Sequence, residues 1–212
     1  MKTMLFDLDG TLIDSTEAIL ESFSVAYDTM GHLVPDNETI KILIGHPLDK
    51  MFLMLGVQSK EVNDYVLAYK EHYRHISRAK TTLLPLAMEA IKEASSIATL
   101  GIVTTKTAQY SEELLEHLGV MHHFEILIGR ESVENPKPHP EPILKAIAHL
   151  KADINQTWMV GDTPMDLISA KEAGIVGIGV LCGYSQKNVL EEHTHHIVTD
   201  ALEAVRLVSK LT

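Results

Sequence analysis

Hydrophobic and polar positions fall into two textures along this chain, and the change between them comes near Thr82. At the amino end a short apolar run, Met4-Leu5-Phe6, reads as a buried strand. Asp14-Ser15-Thr16 then supplies helix N-cap residue types. Ile19, Phe23, Ala26, Tyr27 and Met30 follow at helical spacing, and Gly31 is placed to end that run. Residues 37–43, 47–55 and 60–77 are three further candidate helices, broken by Gly45, Pro47 and Gly56. In the last of them Val62, Tyr65, Val66, Tyr69, Tyr73 and Ile76 share one face, the pattern of core packing. No strand is expected between residues 14 and 81.

From Thr82 onward helical and strand patterns alternate. Helices are predicted over 85–98, 111–118, 140–150, 165–173 and 201–211, with Gly119 and Gly174 as stops. Pro140 and Pro142 are tolerable only in the first turn of theirs. Strands are predicted over 100–105, 124–128, 158–160, 176–181 and 196–198. Strands alternating with helices of about a dozen residues imply βαβ units and a parallel sheet covered on both faces. The predicted architecture is therefore α/β: a Rossmann-like core of residues 1–13 and 82–212, with an all-helical insert, residues 14–81, after the first strand.

Composition narrows the class. A chain of 212 residues can bury a sizeable core and suits one large domain with a modest insert. The net charge of -11 argues against nucleic-acid and anionic-membrane partners. The single cysteine, Cys182, cannot form an internal disulfide, and its apolar surroundings in sequence mark a packed thiol. Asp7 cuts the first apolar run too soon for a secretory signal, and the longest apolar stretch, 175–183, is too short to span a bilayer. A cytoplasmic protein, monomer or homodimer, is expected. His193, His195 and His196 lack recurring ligand spacing and read as a solvated surface cluster.

The candidate chemistry sits at predicted strand ends. Asp7 and Asp9, spaced by one residue in an extended segment, point to the same face. Gly10 frees the backbone to turn, and the Thr11 hydroxyl can fix a neighbouring carboxylate. Two acids forced together repel and shift each other's pKa unless a cation lies between them. In open parallel sheets ligands bind beyond the carboxyl ends of the strands. There the chain also carries Thr104-Thr105-Lys106, Lys137 ahead of a helix, and Gly161-Asp162 with Asp166 four residues on. Each alone is an ordinary turn or surface feature. Together they suit a hard divalent cation, which takes oxygen ligands, and a phosphate held by Lys and Thr.

This set, in this order, resembles the haloacid dehalogenase superfamily of phosphohydrolases. Asp7-Leu8-Asp9-Gly10-Thr11 matches the first family motif in full, Thr104 falls at the second, Lys137 at the third, and residues 161–166 at the fourth. The resemblance covers nearly the whole chain, including a helical (C1-type) cap after the first motif. It implies that Asp7 is a nucleophile forming an aspartyl-phosphate and that Asp9 is a general acid and base. It further implies that Asp7, the Asp9 carbonyl and Asp162 ligate Mg²⁺, with Asp166 and Thr11 in support. Leu8, Thr104, Thr105 and Lys137 would hold the phosphoryl group, and His46 or Lys50 of the cap loop would touch the leaving group. The loop Ile44-Gly45-His46-Pro47-Leu48 resembles that of the phosphoglycolate phosphatase and bacterial pyrophosphatase branch. Mg²⁺-dependent hydrolysis of a small phosphorylated metabolite, phosphoglycolate first, is thus expected. Pyrophosphate hydrolysis, a β-phosphoglucomutase-like transfer and a catalytically idle phosphate-binding protein are the alternatives. Thr105 stands where phosphoglycolate phosphatases usually carry Asn. The Ser-Arg pair that sugar phosphomutases have at the cap loop is missing.

Overall fold

A computed structural model describes residues 2–211. The chain runs β1 (Lys2–Phe6), β2 (Ile13–Asp14), α1 (Thr16–Thr29), α2 (Asn37–Ile42), α3 (Leu48–Met54), α4 (Val62–Ile76) and β3 (Thr82–Leu83). It continues α5 (Ala87–Ile97), β4 (Ala98–Val103), α6 (Ala108–His117), β5 (Ile126–Ile128), α7 (Glu141–Leu150) and β6 (Thr157–Gly161). It ends α8 (Pro164–Glu172), β7 (Val176–Val180), α9 (Lys187–Glu191), β8 (Ile197–Val198) and α10 (Ala201–Lys210).

Six of these strands form one parallel sheet in the order β5-β4-β1-β6-β7-β8. Alternation along β1 decides which helix meets which face. Met4 and Phe6 enter the cluster that holds Ala90 and Ile91 of α5 and Val205 of α10. Leu5 points the other way, into Val103, Met159, Ile143 of α7 and Ala170 of α8. A strand buried on both faces must be apolar throughout, as the run from Met4 to Phe6 is. β1 lies between β4 and β6, so its carboxyl end opens at the middle of the sheet, where the order of strands reverses direction.

The inserted helices carry a separate core. Phe23 of α1, Phe52 of α3 and Tyr65 and Tyr69 of α4 are buried together with Ala18, Ile40 and Tyr73. Their rings pack edge-on or tilted, with Phe23 centred 4.8 Å from Phe52 and 5.1 Å from Tyr69, except that Tyr73 stacks on Tyr69. The helical stripe read from α4 is this core face.

Three features differ from the sequence reading. Ile13–Asp14 pairs antiparallel with Thr82–Leu83, so a short ribbon closes the two ends of the insert where no strand was expected. Two residues per strand are too few to show any periodicity. β4 stops at Val103, and although the Thr104 N–H still donates to the Ile128 carbonyl of β5 at 2.9 Å, Thr105 lies in the loop beyond the ladder. Ser15 precedes α1 as its cap residue, yet its side chain makes no cap hydrogen bond because Asp9 takes it.

No helix among the described residues is long and apolar enough to cross a membrane. His195 is exposed, and His193 and His196 are half-buried.

Candidate active site

The carboxyl ends of β1, β4 and β6 bring the acids and the lysine of the predicted set to one point. Asp7 follows β1 directly, its N–H donating to the Val160 carbonyl of β6 at 2.9 Å. Gly10 then turns the chain with φ of +81°, and a Cβ there would lie 2.4 Å from Asp162 Oδ2. Only glycine meets both demands. The turn lets Thr11 Oγ1 donate to Asp162 Oδ1 at 3.1 Å.

Lys137 ties the cluster together from the third side. Its ammonium donates to the Val103 carbonyl at 2.9 Å and to Asp166 Oδ1 at 2.5 Å, and lies 2.9 Å from Asp7 Oδ1. Its side chain is 1% exposed, so the charge exists only because these partners replace water. Burial works against the ammonium, but Asp166 and Asp7 together hold its pKa above the ordinary lysine range. Asp166 is fully committed: its second oxygen accepts from Thr163 N at 3.1 Å and Thr163 Oγ1 at 2.7 Å, closing a capping box at the start of α8. Asp162 accepts from Thr11 on one oxygen and from the Tyr184 backbone N–H, 2.9 Å away, on the other. The Tyr184 hydroxyl meets Thr16 of α1 at 2.9 Å.

Asp9 faces a different space. Its Oδ1 accepts from Ser15, and its Oδ2 lies 3.0 Å from the ammonium of Lys106. It lines a cavity of about 400 Å³ between the sheet and the insert, walled by Ile44, His46 and Tyr69 on the insert side and by Thr105 and Lys106 on the core side. Burial pushes the Lys106 pKa down, but Asp9 together with Tyr73 and Tyr69 outweighs it and the group stands well above its usual range.

The cluster fits a divalent cation on two counts. Four carboxylates, Asp7, Asp9, Asp162 and Asp166, face two ammonium groups, Lys106 and Lys137, which leaves two negative charges uncompensated. In addition Asp7 Oδ1 is buried and has no hydrogen-bond partner, because the approach of Lys137 lacks hydrogen-bond geometry. Oxygens of Asp7, Asp162 and Asp166 lie within 4.8 Å of one another, a span that a hard cation with oxygen ligands can bridge. Without such an ion, burial first and the neighbouring Asp166 next push the Asp7 carboxyl up to about 6, with Lys137 pulling the other way. Burial, Asp166 and Asp7 likewise hold Asp162 well above the usual carboxylate range.

The remaining predicted residues are placed as follows. Thr104 is buried, and its Oγ1 accepts from the Lys106 N–H at 3.2 Å. Thr105 lines the cavity, but its hydroxyl donates to the Gly45 carbonyl at 3.0 Å and so joins the core to the insert loop. Gly45 has φ of +110° and sits so close to Thr163 that a Cβ would lie 2.8 Å from its methyl carbon. The Leu8 side chain is fully buried in the core, leaving only its backbone toward the site. His46 lines this cavity and a second one of about 590 Å³, and burial lowers its pKa. Lys50 lines only the second cavity, on the far side of the loop from Asp9. Ser15, Lys106, Thr163 and Tyr184 were not singled out from sequence for any role here. Lys106 stood in a quoted strand end, whereas Tyr184, 22 residues past Asp162, gave no signal.

Residues 4–180 match the profile of the family described as haloacid dehalogenase-like hydrolase. "Probable phosphatase IndB" of Dickeya dadantii is 34% identical over 208 residues, covering 95% of this chain and 90% of that protein. "Pyrophosphatase PpaX" of Anoxybacillus flavithermus is 35% identical over 188 residues, covering 85% of this chain and 83% of its own. Among solved structures, a haloacid dehalogenase-like family hydrolase from Streptococcus pneumoniae superposes with a TM-score of 0.89 at 27% identity, covering 98% of both chains. The sequence profile, the full-length relatives and the shared fold agree: this chain belongs to the haloacid dehalogenase-like hydrolases.

Proposed function

We propose that the chain is a Mg²⁺-dependent phosphatase that releases phosphate from small phosphorylated molecules through an aspartyl-phosphate on Asp7. The observation that carries this reading is the convergence of Asp7, Asp162, Asp166 and Lys137 in one buried cluster beside Asp9. Asp7 attacks phosphorus, and the P–O bond to the leaving group breaks. Asp9 gives its proton to the departing oxygen, then takes one from the water that cleaves the aspartyl-phosphate. Ser15 and Lys106 fix the orientation of Asp9 from both sides. Lys137 and the Thr104 hydroxyl hold the phosphoryl oxygens, and Lys137 also keeps Asp7 aimed. Asp7 and Asp162, with the Asp9 backbone carbonyl, would hold Mg²⁺, which when bound would offset the charge of carboxylate and phosphate as they approach. Asp166 acts through Lys137 and Thr163, to which its two oxygens are hydrogen-bonded.

Residues 14–81 act as a cap over this site and residues 1–13 and 82–212 as the catalytic core. The separate aromatic core of the insert supports that division. Phosphoglycolate and pyrophosphate are the leading substrates, the second favoured by the pyrophosphatase among the relatives. Unaided phosphate monoester hydrolysis leaves ~20 kcal/mol of barrier to remove, so cation and lysine are both required. Purified protein with Mg²⁺ should release phosphate from p-nitrophenyl phosphate and lose that activity with excess chelator. Absence of any phosphate release across aryl phosphate, phosphoglycolate and pyrophosphate would overturn the reading.

A further inference from the structure

Lys106 has more hydrogen-bonding capacity than the protein uses. Its side chain is 10% exposed and lines the cavity between sheet and insert. The ammonium meets Asp9 Oδ2 at 3.0 Å and lies 4.7 Å from the centre of the Tyr73 ring. Among the described residues it has no other salt-bridge partner. An ammonium has three N–H donors, and one that is nearly buried is poorly served by one carboxylate and one aromatic face. Lys70 and Arg130 line the same cavity with the same sign of charge. Glu131, also at its edge, is already drawn to the Ala108 N–H at 2.9 Å, at the start of α6.

We infer that Lys106 is a specificity-determining residue that receives a second anionic group of the substrate, carboxylate or phosphoryl, attached next to the leaving oxygen. This rests on the phosphatase reading, in which Asp9 meets that oxygen. The spacing then limits the substrate. Lys106 lies 3.0 Å from Asp9, and each reaches its own partner over about 2.9 Å, so the leaving oxygen and the second anion can be at most roughly 9 Å apart. Phosphate esters of 2-hydroxy acids and diphosphate satisfy that limit. A sugar bisphosphate with its second phosphate at the far end of the carbon chain meets it only when bent back toward the leaving oxygen. As the P–O bond breaks, the proton from Asp9 goes to the leaving oxygen while the second anion stays paired with Lys106, so the buried ammonium keeps a counter-charge throughout.

The experiment compares kcat/KM for phosphoglycolate and diphosphate with that for glycerol 3-phosphate and fructose 1,6-bisphosphate, in wild type, Lys106→Met and Lys106→Arg, all with Mg²⁺. Wild type should favour the adjacent-anion pair by about 100-fold, the scale of a charge-assisted hydrogen bond. Lys106→Met should collapse that ratio toward one, and Lys106→Arg should restore most of it. A ratio unchanged in Lys106→Met, with all substrates falling equally, would show that Lys106 serves Asp9 alone and would overturn the inference while leaving phosphatase activity in place. If Lys106→Met fails to fold, the wild-type ratio decides, and preference for the neutral or remote-anion substrates overturns it. Hydrolysis of none of the four by wild type removes the phosphatase reading itself, and this inference with it.

Discussion

At Asp7 two demands pull in opposite directions. Burial lifts its carboxyl to about 6, while attack on phosphorus needs the ionised form. Lys137 and a divalent cation are what reconcile them. Asp7→Asn should therefore abolish turnover yet leave the fold intact, since it removes a buried charge rather than a packing group; kinetics alongside circular dichroism and thermal melting would check both halves. Lys137→Met should damage both. It strands Asp7 and Asp166 without a counter-ion and should cost about 3–5 kcal/mol in denaturant unfolding, together with all activity. At this scale the sequence was legible where residues close a strand: Asp7, Asp9 and Asp162 are visible because parallel sheets gather their strand ends, whereas Lys137, in the loop ahead of α7, was marked by its place in the family motif. Ser15 was visible only as a helix cap, and Tyr184 not at all. Their partners, Asp9 and Asp162, are fixed by how a loop returns, which no local pattern encodes.

Elements were read well when long and periodic, and poorly when short. The stripe on α4 and the apolar β1 each carry enough positions to declare a face. β2 and β3 carry two residues each, and α9 carries five, so neither pattern could emerge. The early end of β4 had a consequence for function as well: Thr105 leaves the ladder and its hydroxyl clasps the Gly45 carbonyl of the insert loop. Thr105→Val removes that one bond between partly buried groups. It should shift unfolding free energy by no more than about 1.5 kcal/mol but raise KM several-fold, because the loop that carries His46 is released. Equal KM in variant and wild type would remove Thr105 from any role in seating the loop.

For the molecule as a whole, charge is the term most open to experiment. The folded state holds Asp7 near 6 against 3.8 for an ordinary aspartate, so between those values it binds more protons than the unfolded chain. Stability of the metal-free protein should therefore fall as pH rises through that window, and Asp162, also raised by burial, adds to the decline. Melting curves in chelator from about pH 4 to pH 7.5 would show this, and Asp162→Asn should flatten the slope. Mg²⁺ should raise the melting temperature more at the upper end of the range, because its ligands must be deprotonated. At a hundredfold excess over Kd the gain is about 2.7 kcal/mol. One further consequence follows from the ribbon that pairs Ile13 with Leu83 and Asp14 with Thr82. The chain departs from the sheet and comes back at neighbouring positions, roughly one strand spacing apart. Evolution can thus exchange everything between as a cassette, altering what is admitted without disturbing the chemistry beneath. A tight turn grafted across that gap should yield a shortened protein that still folds and still binds the cation, but no longer chooses among its substrates.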